Sequence, residues 1–562
     1  MNIAEGKLKQ ILTKAGIISG KAWDDVVRNA KRLDESIETI LKEKDIISGE
    51  LFYQIIAAGF DSNYLNLNGR FIETKILDLL DSETVNTYKI IPFEFEKKKK
   101  LLSIAFTDIW DEKILTNLKK KTGYKIKPFL TDNKSFKFVS NYYRKEVIEK
   151  IRKTIEKKSL DAKNARRLLG LIIQYVYYIQ PSDIHLEEYS KEGLVKLRVD
   201  GFLKDQFVVS RQVIQEMMKI IKSLAKTETN AINQDNDGRF SCRIFNEILA
   251  FRISILKTYY GEKICLRVLD ESKQRMSLRD LGFNDNHIEL IKKEFEKPYG
   301  LILVNGPTGA GKSTTLYAML KFLNIEGVSI ATIEDPIEYP LKHINQSQVD
   351  DKTGFTFARG LEKLMRQDPD IIVIGEIRDS ETVETTIQAA LTGHIILSTI
   401  HSNTATGTIT RLKDMGAKKY LVAGTLNLAI SQNLVKKTCP YCRESYTPSQ
   451  NYLKNIDKDT HILQSLEKLK HFGYLTYTKP SEIQFFKGKG CAKCGDKGYI
   501  GRIGVFEILK IDDKIKKMIL ENKTEEEIRW YAESNGMLTM FEDGLLKATT
   551  GLVTLEEIIN LE

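Results

Sequence analysis

The sequence predicts an α/β protein whose C-terminal half is built on a parallel sheet. From Leu281 onward, short β-branched runs alternate with helical patterns. One run, Leu301–Asn305, leads straight into the glycine-rich stretch Gly306–Ser313, and two Cys-x-x-Cys pairs follow the sheet. At 562 residues the chain is long enough for about three or four domains. With 42% hydrophobic and 29% charged residues it has an ordinary globular balance, which excludes a disordered or fibrous chain. The net charge of +10 permits contact with an acidic surface and gives no support for nucleic acid as a partner. The opening MNIAEGKLKQ lacks the basic-then-apolar order of a signal peptide, and no apolar run approaches the roughly 20 residues of a membrane span. A soluble, cytoplasmic protein is expected.

Residues 1–60 carry a weak repeat. Leu8, Ile11, Leu12, Gly16, Ile17 and Ile18 recur as Ile37, Ile40, Leu41, Asp45, Ile46 and Ile47, each copy ending in Ser-Gly. This spacing predicts a small helical module. Residues 61–145 read as a mixed α/β unit, with strands at Ile90–Pro92 and Leu101–Ala105 either side of the solvated lysine run Lys97–Lys100, and a helix at Lys113–Lys121. Arg144–Arg167 reads as a charged linker entering a helix, within a further α/β domain over 146–280 that has strands at Leu194–Val199 and Ile264–Leu269. The last domain, 281–562, has buried-strand candidates at Leu301–Asn305, Val328–Ile333, Ile371–Gly375 and Ile395–Ile400, the cysteine subdomain at 434–500 and a helical tail over 510–562.

Gly306-Pro307-Thr308-Gly309-Ala310-Gly311-Lys312-Ser313-Thr314 follows a strand and opens a helix, the context a Walker A loop requires. The glycines let backbone N–H groups curl around phosphates, and the helix directs its positive end at them. Lys312 is expected to bridge the β- and γ-phosphates of ATP, and Ser313 to ligate Mg²⁺. Three further segments stand at the ends of the other candidate strands: Glu334-Asp335-Pro336-Ile337-Glu338, Gly375-Glu376-Ile377-Arg378-Asp379, and the pair Thr392-Gly393-His394 and Thr399-Ile400-His401. Nucleotide hydrolysis needs one carboxylate to orient or deprotonate water and one to hold Mg²⁺. Glu338 is the candidate for the first role and Glu376 for the second.

The soft thiolates of Cys439, Cys442, Cys491 and Cys494 suit a tetrahedral Zn²⁺ site with no open position, hence a structural one. The long polar insert between the pairs suggests a subdomain with little core of its own. Cys242 and Cys265 read as small buried apolar residues.

Together the segments GPTGAGKST, TIEDPIEY, DPDIIVIGEIRD and TGHIILSTIHSN resemble the Walker A, Asp, Walker B and His boxes of the secretion ATPases that drive type II secretion and type IV pilus assembly. Pro181–Glu187, Leu197-Arg198-Val199-Asp200-Gly201, Asp237-Gly238-Arg239, Arg252-Ile253-Ser254 and Gly261 to Asp270 extend the likeness upstream, and Gly495 to Glu507 extends it downstream. The resemblance implies a RecA-like ATPase core behind a PAS-like domain that contributes arginines to the nucleotide, with Arg198, Arg239, Arg252 and Arg267 as candidates. It implies that His394 and His401 sense the γ-phosphate or couple neighbouring subunits. It further implies a homohexamer at the inner face of the inner membrane, reaching the membrane only through partners. The N-terminal region would dock on an inner-membrane platform protein; the repeat lacks the arginine and glycine of the cyclic di-GMP motif found in some relatives. The expected function is extension of type IV pili, with pseudopilus assembly in type II secretion as the alternative. A pilus retraction motor and a non-hydrolysing scaffold stand behind these.

Overall fold

The computed structural model of the chain describes residues 3–68, 70–156, 162–199, 202–225, 237–245, 247–269, 276–491, 494 and 496–561. The motif residues Asp200-Gly201, Asp270 and Gly495 lie outside the described residues. The chain divides into two compact units: Met1–Ser19 with Gly49–Lys273, and Gly20–Ser48 with Gln274–Glu562.

The second unit is built on one sheet whose strands are β1 (Gly300–Asn305), β2 (Ile330–Glu334), β3 (Asn345–Gln348), β4 (Ile371–Ile374), β5 (Ile395–Ile400), β6 (Leu426–Thr438) and β7 (Tyr499–Lys510). Their order is β3-β2-β4-β5-β1-β6-β7. All neighbours are parallel except the last pair. This is a RecA-like P-loop core, with β5 between the phosphate-loop strand and the strand that ends at Gly375-Glu376. The runs of apolar residues are explained by burial on both faces. Along β1, Leu301 and Leu303 join one core with Ile372, Ile374, Ile396 and Ile400. Ile302 and Val304 join the other with Ile371, Val373, Ile395 and Leu397. Successive side chains point to opposite faces, so a strand covered on both sides must be apolar throughout.

The long antiparallel pair β6 and β7 brings Thr438 opposite Tyr499, so the two cysteine pairs meet although a long insert separates them. That insert is more ordered than its polarity suggested. Gln450–Thr460 and Ile462–His471 are helices, and Leu453, Ile462, Leu466, Leu469 and Phe485 share a core with Leu545, Val553 and Ile558 of the tail. The core it lacks alone is supplied by the C-terminal helices.

Residues 20–48 form a helical pair, Gly20–Leu33 and Ile37–Glu43, seated on the far end of the helix Lys312–Leu323. Arg32 donates to the backbone and side-chain oxygens of Asn324 at 2.8 and 2.7 Å. Lys44 Nζ donates to the carbonyls of Lys321, at 3.0 Å, and Phe322. Glu43 pairs with Lys321 at 2.7 Å. A cation here meets the negative end of the helix dipole, while burial pulls the Lys44 ammonium down to a pKa of about 8.

In the first unit, a six-stranded antiparallel sheet runs in the order Phe202–Ser210, Glu192–Val199, Asp183–Glu188, Gly261–Leu269, Glu247–Thr258, Asp237–Ile244. Its apolar face (Ile184, Leu186, Val195, Leu197, Phe251, Ile253, Ile264, Leu266) is covered by helices Ala162–Ile179 and Arg211–Ala225, a PAS-like arrangement. The same core continues into a three-stranded sheet, Ile90–Glu96, Leu101–Phe106 and Lys125–Leu130. Arg144–Glu156, expected as linker, is a helix with Val147 and Ile151 buried. The two apolar residues lie four apart on one face, and the charges around them are its solvated side. Among the described residues no helix is long and apolar enough to cross a membrane.

Candidate functional site

The loop after β1 is shaped by glycine. Gly306 has φ +142° and a Cβ there would lie 2.3 Å from the Gln432 carbonyl oxygen, so no side chain fits. Gly311, with φ +88°, forms the N-cap of the helix Lys312–Leu323. Lys312 Nζ donates to the carbonyls of Gly306 at 2.8 Å and Pro307 at 3.1 Å. Burial lowers its pKa, and Glu376 opposes that shift. Ser313 is exposed at the start of the helix, with Thr314 half-buried beside it.

Because β1, β2, β4 and β5 are parallel, their C-terminal ends share the edge that carries the loop. Glu376, just past β4, accepts from Arg378 and stands 3.7 Å from His401 Nε2. Arg378 also reaches Asp335, past β2, at 3.7 Å. Lys312, Glu376, Arg378 and Asp335 are thus one cluster of opposed charges, with the His401 imidazole beside Glu376. His394 is not in it. It precedes β5, at the opposite edge of the sheet, where Nδ1 is 2.8 Å from the Ala389 carbonyl and its own carbonyl accepts from Gly300 N–H. A six-residue strand, roughly 20 Å long, separates the two histidines. Glu338 is exposed, and its backbone N–H donates to the Tyr317 hydroxyl at 3.3 Å.

Two contributors escaped the sequence reading. Gln432, 2% exposed on β6, donates to the Ala310 carbonyl at 2.6 Å and accepts from Thr315 Oγ1 at 2.7 Å, fixing the loop from beneath. A glutamine in an apolar strand is a signal of it in the sequence. Arg378 could have been found from its place two residues after Glu376.

The four candidate arginines lie in the first unit. Arg198 is opposite Asp183, Asp183 opposite Arg267, Arg267 opposite Arg252 and Arg252 opposite Arg239. They form one row across five consecutive strands, on one face of the sheet. Asp183 takes Arg198 at 3.5 Å and Arg267 at 3.2 Å. The four arginines thus share one row, with Asp183 between two of them.

The four cysteine sulfurs lie within 4.8 Å of one another. Cys439–Cys491 and Cys442–Cys494 are 3.9 Å apart and Cys491–Cys494 is 3.7 Å. Tetrahedral ligands on a Zn–S bond of about 2.3 Å stand roughly 3.8 Å apart, so the donor set fits zinc. Burial pushes the Cys439 thiol up to about 12 and raises that of Cys442. Burial also works against ionisation of Cys494, yet the N–H groups of Gly498 and Cys491 bring it down to about 7.

A family model described as "Type II/IV secretion system protein" matches residues 158–560. The type IV pilus assembly ATPase PilB of Myxococcus xanthus is 32% identical over 581 residues, covering 99% of this chain and 98% of that protein. The type IV pilus assembly ATPase PilB of Thermus thermophilus is 33% identical over 495 residues; 86% of this chain is covered, and the chain spans about half, 54%, of that relative's length. The type II secretion system protein E of Pseudomonas aeruginosa is 37% identical over 395 residues, covering 70% of this chain and 75% of that protein.

Proposed function

Because the chain belongs to the type II/IV secretion system protein family, we propose that it is an ATP-hydrolysing motor that drives extension of type IV pili. The reading is carried by one observation: the phosphate loop, Glu376, Asp335 and His401 meet at a single edge of the sheet. Lys312 leaves the Gly306 and Pro307 carbonyls to grip the β- and γ-phosphates, and the loop N–H groups and helix N-terminus hold their remaining charge. Ser313 and Glu376 would hold a magnesium ion, which would supply further neutralisation of the phosphate oxygens. Glu338 orients the attacking water and takes its proton as the γ-phosphate departs. His401, beside Glu376, is the γ-phosphate sensor; His394, at the other edge of the sheet, has no part in this step. The arginine row supplies guanidinium groups, from the same chain or a neighbour in a homohexamer, against the charge that develops on the transferring group. Closure and release of the arginine-bearing unit around ATP and ADP would push an inner-membrane platform protein. Zinc held by the four cysteines would be structural.

Full-length similarity to a pilus assembly ATPase supports the pilus client. A second reading, pseudopilus assembly for protein export, is supported by the identity to a type II secretion protein over the shared 70%. The test is direct. Purified protein with Mg²⁺ should release phosphate from ATP, and Lys312→Ala should abolish this; wild-type turnover in Lys312→Ala would overturn the assignment. A deletion strain separates the clients: loss of pili with secretion intact supports the first, and loss of export the second.

A further inference from the structure

We propose that Tyr317 is the positioning residue for Glu338, a phenol that ties the segment bearing the water-activating carboxylate to the helix that grips the phosphates. The inference rests on the role given to Glu338 above. Tyr317 lies on the helix Lys312–Leu323, five residues beyond the lysine, and its ring is buried at 4% exposure. Its hydroxyl donates to Glu334, the last residue of β2, and accepts from the Glu338 N–H at 3.3 Å. The Glu334 carboxylate, itself buried, is satisfied on its other oxygen by Thr332 Oγ1 at 2.6 Å and Gln346 Nε2 at 3.0 Å.

The chain of bonds therefore runs from a buried carboxylate, through one phenol, to the backbone of Glu338. A hydroxyl that donates to a carboxylate gains electron density on its oxygen and becomes a better acceptor, so the two bonds reinforce each other. The location of the second bond is what matters. The Glu338 side chain is exposed, so the hold on its backbone is what the structure offers to aim it. Nearby N–H groups of the same loop are held by β3 instead: Ile337 by Gln348 at 3.3 Å and Leu341 by Gln346 at 2.7 Å. The Glu338 N–H is bonded to a side chain of the phosphate-binding helix, and Gln346 Nε2 reaches the same hydroxyl at 3.4 Å. Packing does not require the hydroxyl, because a phenylalanine would keep the ring's contact with Tyr339, whose centroid lies 4.3 Å away. Seating ATP on Lys312 and seating Glu338 thus become one event.

Tyr317→Phe isolates the hydroxyl. The expected result is a fall in kcat for phosphate release of about tenfold with KM for ATP unchanged, and unchanged affinity for a non-hydrolysable ATP analogue. In a Glu338→Asp background, where the carboxylate is already misplaced, the same substitution should cost no more than about twofold. A Tyr317→Phe enzyme with wild-type kcat overturns the proposal, as does an equal loss in both backgrounds, which would mark a role in stability alone. These outcomes are distinct from failure of the parent reading. If Glu338→Asp itself hydrolyses ATP at the wild-type rate while Lys312→Ala is inactive, the carboxylate assignment fails and this inference falls with it.

Discussion

The phosphate loop and the cysteine cluster hang from neighbouring strands of one sheet, yet they are built on opposite electrostatic plans. At the loop, cations and anions already have partners within the protein: Lys312 donates to the Gly306 and Pro307 carbonyls, and Arg378 bridges Glu376 and Asp335. A ligand that enters exchanges partners with groups that were satisfied before it came and are satisfied after it leaves. The cysteine cluster is four thiols, with burial raising Cys439 and Cys442 against ionisation while backbone N–H groups favour the thiolate at Cys494. Only a cation makes four thiolates compatible within 4.8 Å of one another. Self-complementary charge suits turnover. Like groups suit permanence.

The sharpest way to break this comparison is at Glu376. Glu376→Gln should lower the rate of phosphate release by about 10²–10³-fold while ATP analogue binding, followed by fluorescence, persists; loss of binding instead would mean that the loop's internal pairing is structural. The next effect concerns the metal. Purified chain should carry one zinc by elemental analysis. Cys439→Ser should lower the apparent melting temperature by roughly 5 °C or more and open the 443–488 insert to protease, with ATP binding retained. A variant as stable as the wild type would dismiss the permanent role.

A smaller change is expected from Gln432→Ala, which frees the Ala310 carbonyl and Thr315 hydroxyl. It should weaken ATP binding by about tenfold, seen as a higher KM with little change in kcat. The smallest separates both sites from their shared scaffold. Burial lowers the His287 pKa to about 4 from an ordinary 6.5, so the unfolded chain binds the extra proton first. Stability from this residue is complete above pH 6.5 and is lost as pH falls through 6.5 towards 4, by at most about 3 kcal/mol. Thermal melts across that window should fall less steeply in His287→Phe.

Strands β1, β4 and β5 were legible because burial on both faces leaves only apolar residues, and the loop because its glycines admit nothing else. β6 was not. Asn427, Ser431 and Gln432 break its apolar pattern, and they do so because they are buried polar groups bonded to Tyr299, Asn403 and the phosphate loop. β3, with the sequence Asn-Gln-Ser-Gln, is an edge strand whose residues brace a loop. Residue spacing could not separate His394 from His401, since seven positions look close until an extended strand lies between them. Nor could it gather the arginines. Each was visible singly, but their common row is a fact of register, and register is fixed by pairings far apart in the chain. The repeat in residues 1–60 announced helices without saying which body each would join: Leu8 and Leu12 fall in the first compact unit, Ile40 and Leu41 in the second.

That last division gives Lys44 its importance. The helix that carries the phosphate-loop lysine is 12 residues long and ends on an ammonium group contributed by residue 44 of the chain. Trimming the first fifty residues to obtain a minimal motor would strip the counter-charge from that helix and leave the Lys321 and Phe322 carbonyls to water. The segment 20–48 is therefore part of the compact unit that carries the phosphate loop, and the proposed activity measured without it would belong to a different body.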